Sequence, residues 1–512
     1  MRSPDAPSAP ALSRLRPGDE IELVLEKFAD RGKSLARLPG EGAGGYVVFV
    51  AGAVPGDQVR ARVLKRKRRF AEARLLEVLL PSPLRVTPRC EYFGACGGCK
   101  WQQVAYAAQL EMKRQQVEDA LVHTGGFDLA ARSVPVRPTL GMDAEPPGPE
   151  ERALLGPAQA GQPYFYRNKM EFSFAAQRWL TDDEIASGEA FETDFALGLH
   201  VPGRFDKVLD LQACYLQSAW STRLVNGLRA LARAEGWSAY HAREQRGFLR
   251  HLVLRTPART PERMVNLVTS RYDADRMARL ADWLRAEFPE ATTLVNTVNS
   301  GLAQTAFGEA MHVVFGPGVV HDEIGGLRFE IAPNAFFQTN TRQAETLYRI
   351  AAEFAALRPD DLVYDLYCGA GTISLYLARH ARHVVGVELV EEAVANARAN
   401  ARANGIHNAT FAAGDMLRLF TPDFVAAHGH PDVLVVDPPR AGMHPKVVAQ
   451  LAALRPGRLV YVSCNPQTQA RDLALLREAS SDAYRITAVQ PVDLFPHTHH
   501  VESVVALRAE TA

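Results

Sequence analysis

The stretch Leu362-Val-Tyr-Asp-Leu-Tyr-Cys-Gly-Ala-Gly-Thr372 joins a short apolar strand to a helix start through two closely spaced glycines. Glycines at such a turn let the backbone approach a bound nucleotide. Glu388 ends the next apolar strand, 17 residues after Gly371, where such folds bind ribose hydroxyls. A dinucleotide site needs a third glycine where this chain has Ser374. The pattern therefore favours S-adenosylmethionine over NAD as the cofactor.

Helices and apolar strands alternate around this stretch. The predicted helices are 341–357, 372–380, 391–403 and 445–453, and the predicted strands are 362–366, 384–387, 432–436 and 458–462. Alternation of this kind forms a parallel, doubly wound α/β sheet, so we predict a Rossmann-like domain over residues 331–512. Asp415 follows a third strand, where it is either an adenine contact or a turn residue.

Reactive side chains follow two further strands. Cys464 lies on a Ser-Cys-Asn-Pro turn directly after an apolar strand, and Asp437 opens an Asp-Pro-Pro-Arg turn after the preceding strand. A cysteine at a strand end is where an α/β enzyme holds a nucleophile. Glu502, in a strand-like run near the C-terminus, offers a carboxylate for proton transfer. These residues predict covalent catalysis by Cys464 with a general base nearby.

The chain of 512 residues is too long for one core, and its formal net charge is zero. We predict a multidomain protein with a disordered tail over residues 1–14 and a five-stranded, OB-like β-barrel over residues 15–80. The run Arg60–Arg74 carries eight basic residues and one acidic residue. This run is either a solvated face or a surface that binds nucleic acid.

Three cysteines, Cys90, Cys96 and Cys99, lie on a glycine-rich loop with C-x5-C-x2-C spacing. A closed metal site needs a fourth ligand, for which Cys214 is the candidate. Thiolate count alone does not separate zinc from a 4Fe–4S cluster. The cysteine loop belongs to a predicted central α+β domain over residues 81–330, with a surface insertion over 140–161 rich in proline, glycine and alanine.

No uninterrupted apolar stretch is long enough to cross a bilayer, and the first residues lack the apolar region of a signal peptide. We therefore expect a cytoplasmic protein with no membrane partner. The basic run favours nucleic acid over a membrane as the partner.

Together these motifs closely resemble the bacterial RNA (uracil-C5) methyltransferases, in particular the 23S ribosomal RNA branch with an N-terminal TRAM domain and a 4Fe–4S cluster. The resemblance covers about residues 15 to 508 and includes the stretch Asn334-Ala-Phe-Phe-Gln-Thr-Asn340. It implies that Cys464 is the nucleophile and Glu502 the proton acceptor. With this resemblance we expect a monomer that binds RNA and not DNA. The cluster ligands that it implies are Cys90, Cys96, Cys99 and Cys214. The S-adenosylmethionine contacts that it implies are Gln338, Tyr367, Glu388 and Asp437.

The resemblance has one departure at the cofactor, since Thr372 stands where some members carry asparagine. Uracil must leave its stack to reach the thiol, which requires aromatic and cationic groups around the pocket. The candidates for these groups are Tyr166, Arg167, Asn168, Lys169, Phe172, Phe336 and Phe337.

Three alternatives remain. A transfer RNA substrate fits the same catalytic motifs. A non-catalytic RNA-binding or ribosome-assembly factor would be expected to have lost the nucleophile or the base. An amino-group methyltransferase would carry an aromatic residue where this chain has Arg440.

Overall fold

A computed structural model of the chain describes residues 15–29, 32–38, 45–130, 134–143, 148–155 and 163–510. The predicted tail 1–14 lies outside the described residues, as do positions 144–147 and 156–161 of the predicted insertion. The chain divides into two compact units, one formed by Met1–Gln116 with Phe495–His499 and the other by Val117–Leu494 with His500–Ala512. No helix in the described ranges has the length and apolar content needed to cross a membrane.

Within the described residues, the first unit contains a twisted mixed sheet of six strands, with both antiparallel and parallel pairs. The sequence analysis predicted five strands, so the sheet has one strand more. The extra strand is the two-residue β2. Alternate side chains of β4 point into the core, where Tyr46, Val48 and Val50 are buried. The strands of this sheet are β1 Glu20–Val24, β2 Lys27–Phe28, β3 Ser34–Leu38, β4 Tyr46–Ala51, β5 Gln58–Arg66 and β6 Phe70–Leu80.

A long loop and helix α1 (Tyr106–Asp119) follow this sheet, and a π-helical turn (Ala120–Thr124) extends α1. The C-terminal segment 495–499 also belongs to this unit. His497 is buried there, and its backbone N–H donates to the side-chain oxygen of Gln109 at 2.9 Å. The carbonyl oxygen of His497 accepts hydrogen bonds from the backbone N–H groups of Lys100 and Trp101. These bonds join segment 495–499 to the residues that directly follow Cys99.

The second unit begins with a sheet of eight strands in the described residues, in the order β14-β13-β12-β11-β7-β9-β10-β8. Its helices are α2 Pro149–Leu155, α3 Asp182–Ser187, α4 Ala219–Ala234 and α5 Ala274–Glu287. Apolar residues of α4 and α5 pack on one face of this sheet. The strands are β7 Lys169–Ala175, β8 Arg178–Trp179, β9 Ala196–His200, β10 Val208–Asp210, β11 Leu249–Arg255, β12 Met264–Thr269, β13 Thr293–Val298 and β14 Ala310–Phe315.

A hairpin of β15 (Val320–Ile324) and β16 (Leu327–Ile331) leads to the doubly wound sheet, whose seven described strands run in the order β19-β18-β17-β20-β21-β23-β22. The strands are β17 Leu362–Leu366, β18 His383–Glu388, β19 Ala409–Ala413, β20 Val433–Val436, β21 Arg458–Ser463, β22 Tyr484–Val492 and β23 Glu502–Ala509. The helices are α6 Thr341–Ala355, α7 Thr372–Ala378, α8 Glu391–Ala403, α9 Met416–Leu419, α10 Pro422–His428, α11 Pro445–Leu454 and α12 Pro466–Ala479.

The direction of these strands sets the position of the candidate site. Strands β17, β18, β20 and β21 are parallel, so their carboxyl ends lie at one edge of the sheet. The residues that follow the strands at this edge include Tyr367, Asp437 and Cys464. Because β23 is antiparallel to β21, its first residue, Glu502, lies at the same edge.

Part of the predicted central region packs with the doubly wound sheet instead. Val117, Leu121, Phe127 and Val136 join the apolar core of that sheet. Val136 also forms a parallel bridge with Val489 of β22. This contact could not be predicted from local sequence patterns, because it joins segments about 350 positions apart.

Candidate active site

The candidate nucleophile and base lie side by side. The antiparallel ladder between β21 and β23 ends with Ser463 opposite Ser503. Cys464 and Glu502 are each one position beyond this pair, so they extend the same register. The next residue, Asn465, caps α12 by accepting from the backbone of Gln467, which fixes the turn that holds the thiol.

The Cys464 thiol is half-buried, and burial together with Glu502 raises its pKa to about 11. Arg440 opposes this shift through its charge and a hydrogen bond to the thiol, both of which lower the pKa. The backbone of Arg440 is fixed from α12, because its carbonyl oxygen accepts from Asn465 Nδ2 at 3.0 Å and from the Thr468 hydroxyl at 3.2 Å. Its guanidinium also lies 3.4 Å from Nδ1 of His500.

Three carboxyl groups lie at this edge, of which Glu502 and Asp365 are buried and Asp437 is half-buried. Burial, with a contribution from Asp437, raises the pKa of Glu502 to about 8. Burial and the neighbouring Asp365 raise the pKa of Asp437 to about 7. Burial likewise raises the pKa of Asp365 to about 7, although its bond from the Ser374 hydroxyl lowers it. Such a group of carboxyls with raised pKa values is typical of a functional site rather than of a packed core.

The glycine turn after β17 has the geometry that a nucleoside needs. Gly369 has φ of +54°, and a Cβ added there would meet nothing within 4 Å, so its backbone faces open space. Its N–H donates to Glu388 Oε2 at 3.0 Å. Leu389 follows Glu388 and is 63% exposed, which places an apolar side chain beside the carboxylate. A carboxylate and an exposed apolar side chain thus lie next to the open backbone of Gly369.

Two other predicted cofactor contacts lie at neighbouring strand ends. Tyr367 is half-buried with a positive φ of +66°, and burial raises its pKa to about 12. Asp415 is exposed, and its Oδ1 accepts from the backbone of Leu417 as the cap of α9. Asp415 is therefore at least a capping residue, and its predicted adenine contact stays a prediction.

Thr372 stands where some members of the resembling family carry asparagine. It is hydrogen-bonded to Tyr348, a residue that the sequence analysis did not predict to be part of the site. The Tyr348 hydroxyl lies 2.8 Å from Thr372 Oγ1. Tyr348 is buried on α6, and its pKa is raised by burial and by nearby Asp437, Asp365 and Glu502. The same carboxyls thus surround a tyrosine hydroxyl, which no local motif could have indicated.

The candidate uracil contacts divide into exposed and packed residues. Phe336 is 76% exposed beside Gln338, and it remains a candidate. Phe172 is 1% exposed in the core beneath α4, and Phe337 is buried against Phe329, so these two side chains are packing residues. Asn168 is also buried, with its amide directed at the backbone of Gln338.

The cysteine loop supplies thiols, and the Cys96 thiol accepts a backbone N–H bond from Gly98 at 3.4 Å. Burial raises the pKa of Cys96. Across the described ranges, no group of three or more histidine, cysteine or acidic side chains is placed to hold a metal ion. The predicted 4Fe–4S cluster therefore stays a prediction.

The basic run of the first unit divides into two parts. Arg60 pairs with Glu77 at 2.9 Å and Arg62 pairs with Glu20 at 2.7 Å, so these charges are balanced within the sheet. The tip of the β5–β6 hairpin, residues 65–69, consists of exposed cations. The tip therefore offers a surface that attracts a polyanion.

Sequence reasoning missed the role of Asp365 and of Tyr348. Asp365 is the fourth residue of the decisive stretch, and its position near the end of β17 could have indicated it. Arg440 is the cationic neighbour that a reactive thiol requires. Its Asp-Pro-Pro-Arg turn, at the same sheet edge as Cys464, was the available signal.

The chain is similar to known proteins along its whole length. The family model described as tRNA (uracil-5-)-methyltransferase matches residues 320–510, and the TRAM domain model matches residues 14–76. A Chlorobaculum tepidum protein described as an uncharacterised RNA methyltransferase is 44% identical over 97% of this chain and 98% of its own length. A similarly described Bacteroides thetaiotaomicron protein is 42% identical over 94% of this chain and 99% of its own length.

A solved structure has the same fold. The Pyrococcus abyssi tRNA (uracil-54, C5)-methyltransferase in complex with S-adenosyl-L-homocysteine aligns with a TM-score of 0.69 and 27% identity, over 95% of this chain and 100% of that one. The doubly wound sheet, with the glycine turn and Glu388 at the carboxyl ends of its strands, thus defines an S-adenosylmethionine-dependent methyltransferase. The chain belongs to the RNA (uracil-C5) methyltransferase family.

Proposed function

We propose that this enzyme methylates C5 of a specific uridine in 23S ribosomal RNA, with Cys464 as nucleophile and Glu502 as proton acceptor. The observation that carries the proposal is the shared register of β21 and β23, which brings these two side chains together at one sheet edge. Arg440 at the thiol and the raised pKa of Glu502 are the electrostatic features that this chemistry needs.

Carbon C5 of uracil is a poor nucleophile until the ring is activated. The Cys464 thiolate adds to C6, which forms a carbon–sulfur bond and moves the ring electron pair onto C5 and O4 as an enolate. Arg440 stabilises the thiolate before it attacks, because its charge lowers the pKa of the thiol. Bound S-adenosylmethionine would supply an electrophilic methyl group: the C5 electron pair forms the new carbon–carbon bond as the methyl–sulfur bond breaks, and the electrons of that bond leave with S-adenosylhomocysteine.

The methylated adduct carries both the new methyl group and the original hydrogen on C5. The Glu502 carboxylate takes that proton, and the electron pair left behind restores the C5–C6 double bond. The carbon–sulfur bond breaks and Cys464 leaves as a thiolate. A carboxylate with a pKa of about 8 is a stronger base than an ordinary glutamate, which suits this step.

The cofactor is held, in this proposal, by Gln338, Tyr367, Glu388, Asp437 and Asp415. The open space at Gly369, and the carboxylate and exposed leucine beside it, fit a nucleoside. The buried Oδ1 of Asp365 has no hydrogen-bond partner among the described residues, so it is available to a bound group.

The RNA substrate is the finer part of the proposal. The TRAM match, together with the cysteine spacing, supports the 23S ribosomal branch. Transfer RNA is the second candidate, because the aligned Pyrococcus abyssi enzyme is named for uracil-54 of transfer RNA. The cationic hairpin tip suits either RNA, since phosphate contacts carry no sequence information.

A 4Fe–4S cluster held by Cys90, Cys96, Cys99 and Cys214 belongs to the same proposal. The loop spacing and the N–H bond to the Cys96 thiol support it. Iron and acid-labile sulfide, measured after anaerobic purification, should fall to background in Cys96→Ser and stay at the wild-type level in Cys368→Ser. Equal iron in both variants would remove the cluster from the proposal.

The function is tested by tritium release from 5-tritiated uridine in transcribed 23S ribosomal RNA and in transfer RNA, with purified protein and S-adenosylmethionine. We expect release from the ribosomal transcript alone. Release from transfer RNA alone would move the enzyme to the second candidate. Methyl transfer without tritium release from either RNA would contradict chemistry at C5.

A further inference from the structure

The loop that carries Gln338 is held by a residue of the central sheet. Asn168, which directly precedes β7, donates from Nδ2 to the carbonyl oxygen of Gln338 at 2.8 Å and to the Thr341 hydroxyl at 2.8 Å. Its backbone N–H donates to the carbonyl oxygen of Thr339, also at 2.8 Å. One residue thus fixes the loop at three positions within four residues.

These contacts continue into a directed chain of hydrogen bonds. The Thr341 hydroxyl accepts from Asn168 and donates to Asp322 Oδ2 at 2.6 Å. Asp322 is fully buried and also accepts from the backbone N–H groups of Ala258 at 3.0 Å and Arg259 at 2.9 Å. The Asn168 NH2 group can only donate and the Asp322 carboxylate can only accept, so the direction of the chain through the Thr341 hydroxyl is fixed.

The burial of Asn168 suits a contact with the loop of Gln338 rather than a contact with RNA. It is 6% exposed, and its Oδ1 has no hydrogen-bond partner among the described residues. A buried acceptor without a partner is unfavourable, so Asn168 is not an ordinary satisfied core asparagine. The two amide hydrogens of Asn168 are the side-chain atoms that bond to the loop.

A second side chain holds the other end of the same loop. Arg255, at the end of β11, is 2% exposed and donates to the carbonyl oxygens of Pro333, at 3.1 Å, and Ala335. The stretch from 333 to 341 is therefore fixed at both ends by residues of the central sheet. In this stretch Gln338 is half-buried and Phe336 is exposed, so both side chains are accessible to a ligand.

We infer that Asn168 is a positioning residue for cofactor binding, which sets the backbone of Gln338 through the Asn168–Thr341–Asp322 chain. The inference rests on the proposed function, in which Gln338 contacts S-adenosylmethionine. Asn168 itself touches neither the cofactor nor the uracil. The central sheet then has a part in cofactor affinity in addition to any part in RNA binding.

The test measures binding of S-adenosylhomocysteine by calorimetry in four variants of the full chain. Asn168→Ala, Asn168→Asp and Thr341→Val each remove the donor or the hydroxyl that the chain needs, and each should weaken binding about tenfold. Thr341→Ser keeps the hydroxyl and should restore binding to within about twofold of the wild type. In turnover, KM for S-adenosylmethionine should rise by the same factor while KM for RNA stays unchanged.

Thr297→Val is the matched control, because it removes a buried threonine bond to Asn266, 2.9 Å long, that lies in the same sheet and does not involve the loop. Its affinity should equal that of the wild type. Unchanged affinity in Asn168→Ala, or an equal loss in Thr297→Val, would overturn the inference. If Asn168→Ala does not fold, the contrast between Thr341→Val and Thr341→Ser decides. Binding is measured without turnover, so a wild type that releases no tritium would remove the proposed function separately.

Discussion

Ser463 of β21 lies opposite Ser503 of β23, and this pair is the last of the antiparallel ladder. The next residue on each strand, Cys464 and Glu502, therefore emerges at the same edge of the sheet. A shift of one residue in this register would turn one of the two side chains to the opposite face. The pairing of two serines thus fixes the spacing between nucleophile and base.

Arg440 is expected to control the reactivity of Cys464. Removal of its positive charge should raise the pKa of the thiol, because burial and Glu502 would then act unopposed. Arg440→Gln should slow alkylation of Cys464 by iodoacetamide about tenfold at pH 8, as followed by peptide mass spectrometry. Arg402→Gln, at an exposed position on α8, is the control. Equal alkylation rates in the wild type and Arg440→Gln would contradict this role.

The raised pKa of Glu502 predicts how stability depends on pH. An unfolded glutamate titrates near about pH 4.3, whereas the folded state raises this pKa to about 8. The folded protein therefore holds the proton more tightly, and the resulting stability is complete below about pH 4 and is lost as pH rises through 8. Glu502→Gln stays neutral, so its melting temperature should exceed that of the wild type at about pH 9 and match it at about pH 4.

Scanning fluorimetry across this pH range measures the difference. A melting-temperature difference that is constant with pH would show that Glu502 is ionised in the folded protein. Glu330→Gln, at a more exposed site on β16, serves as the control that should show little pH dependence.

The predicted doubly wound sheet agrees with the structure because its signal is local. Apolar strands and helices alternate between 362 and 463, and the glycine turn follows β17 as expected. The burial of Phe172 in the core of the central sheet could not be predicted from a local pattern. Its neighbours on α4 lie about 50 positions further along the chain, so only the fold shows that it is a core residue.

The same limit applies to the candidate site. Strand-end position was enough to bring Cys464 and Asp437 to one edge, because parallel strands share their carboxyl ends. The hydrogen bond from Asn168 to Gln338 could not be predicted, since the two residues are 170 positions apart in the sequence. A buried amide that holds a loop and an exposed amide that binds RNA have the same sequence signature.

The cationic tip of the β5–β6 hairpin is expected to bind RNA phosphates. Replacement of Lys67, Arg68 and Arg69 by glutamate should raise KM for RNA and reduce the salt dependence of that KM, because fewer counterions are displaced from the RNA. Affinity for S-adenosylhomocysteine should stay unchanged. Arg62→Gln is the control, since Arg62 is already paired with Glu20. An unchanged salt dependence in the triple variant would exclude the tip from the RNA interface.

Loss of the nucleophile should leave the cofactor site intact. Cys464→Ala removes the thiol from the end of β21 and does not alter the glycine turn after β17. We expect no methyl transfer from this variant and a dissociation constant for S-adenosylhomocysteine within about twofold of the wild type, by calorimetry. Loss of cofactor binding together with activity would contradict separate roles for the two groups.

The covalent mechanism is most directly tested by incubating Glu502→Gln with RNA and S-adenosylmethionine and separating the products on a denaturing gel. Without a base to remove the C5 proton, the methylated adduct should remain attached to Cys464 and accumulate as a protein–RNA band. The double variant Cys464→Ala, Glu502→Gln should give no such band. Turnover of Glu502→Gln at the wild-type rate, with no covalent band, would contradict the assignment of Glu502 as the proton acceptor.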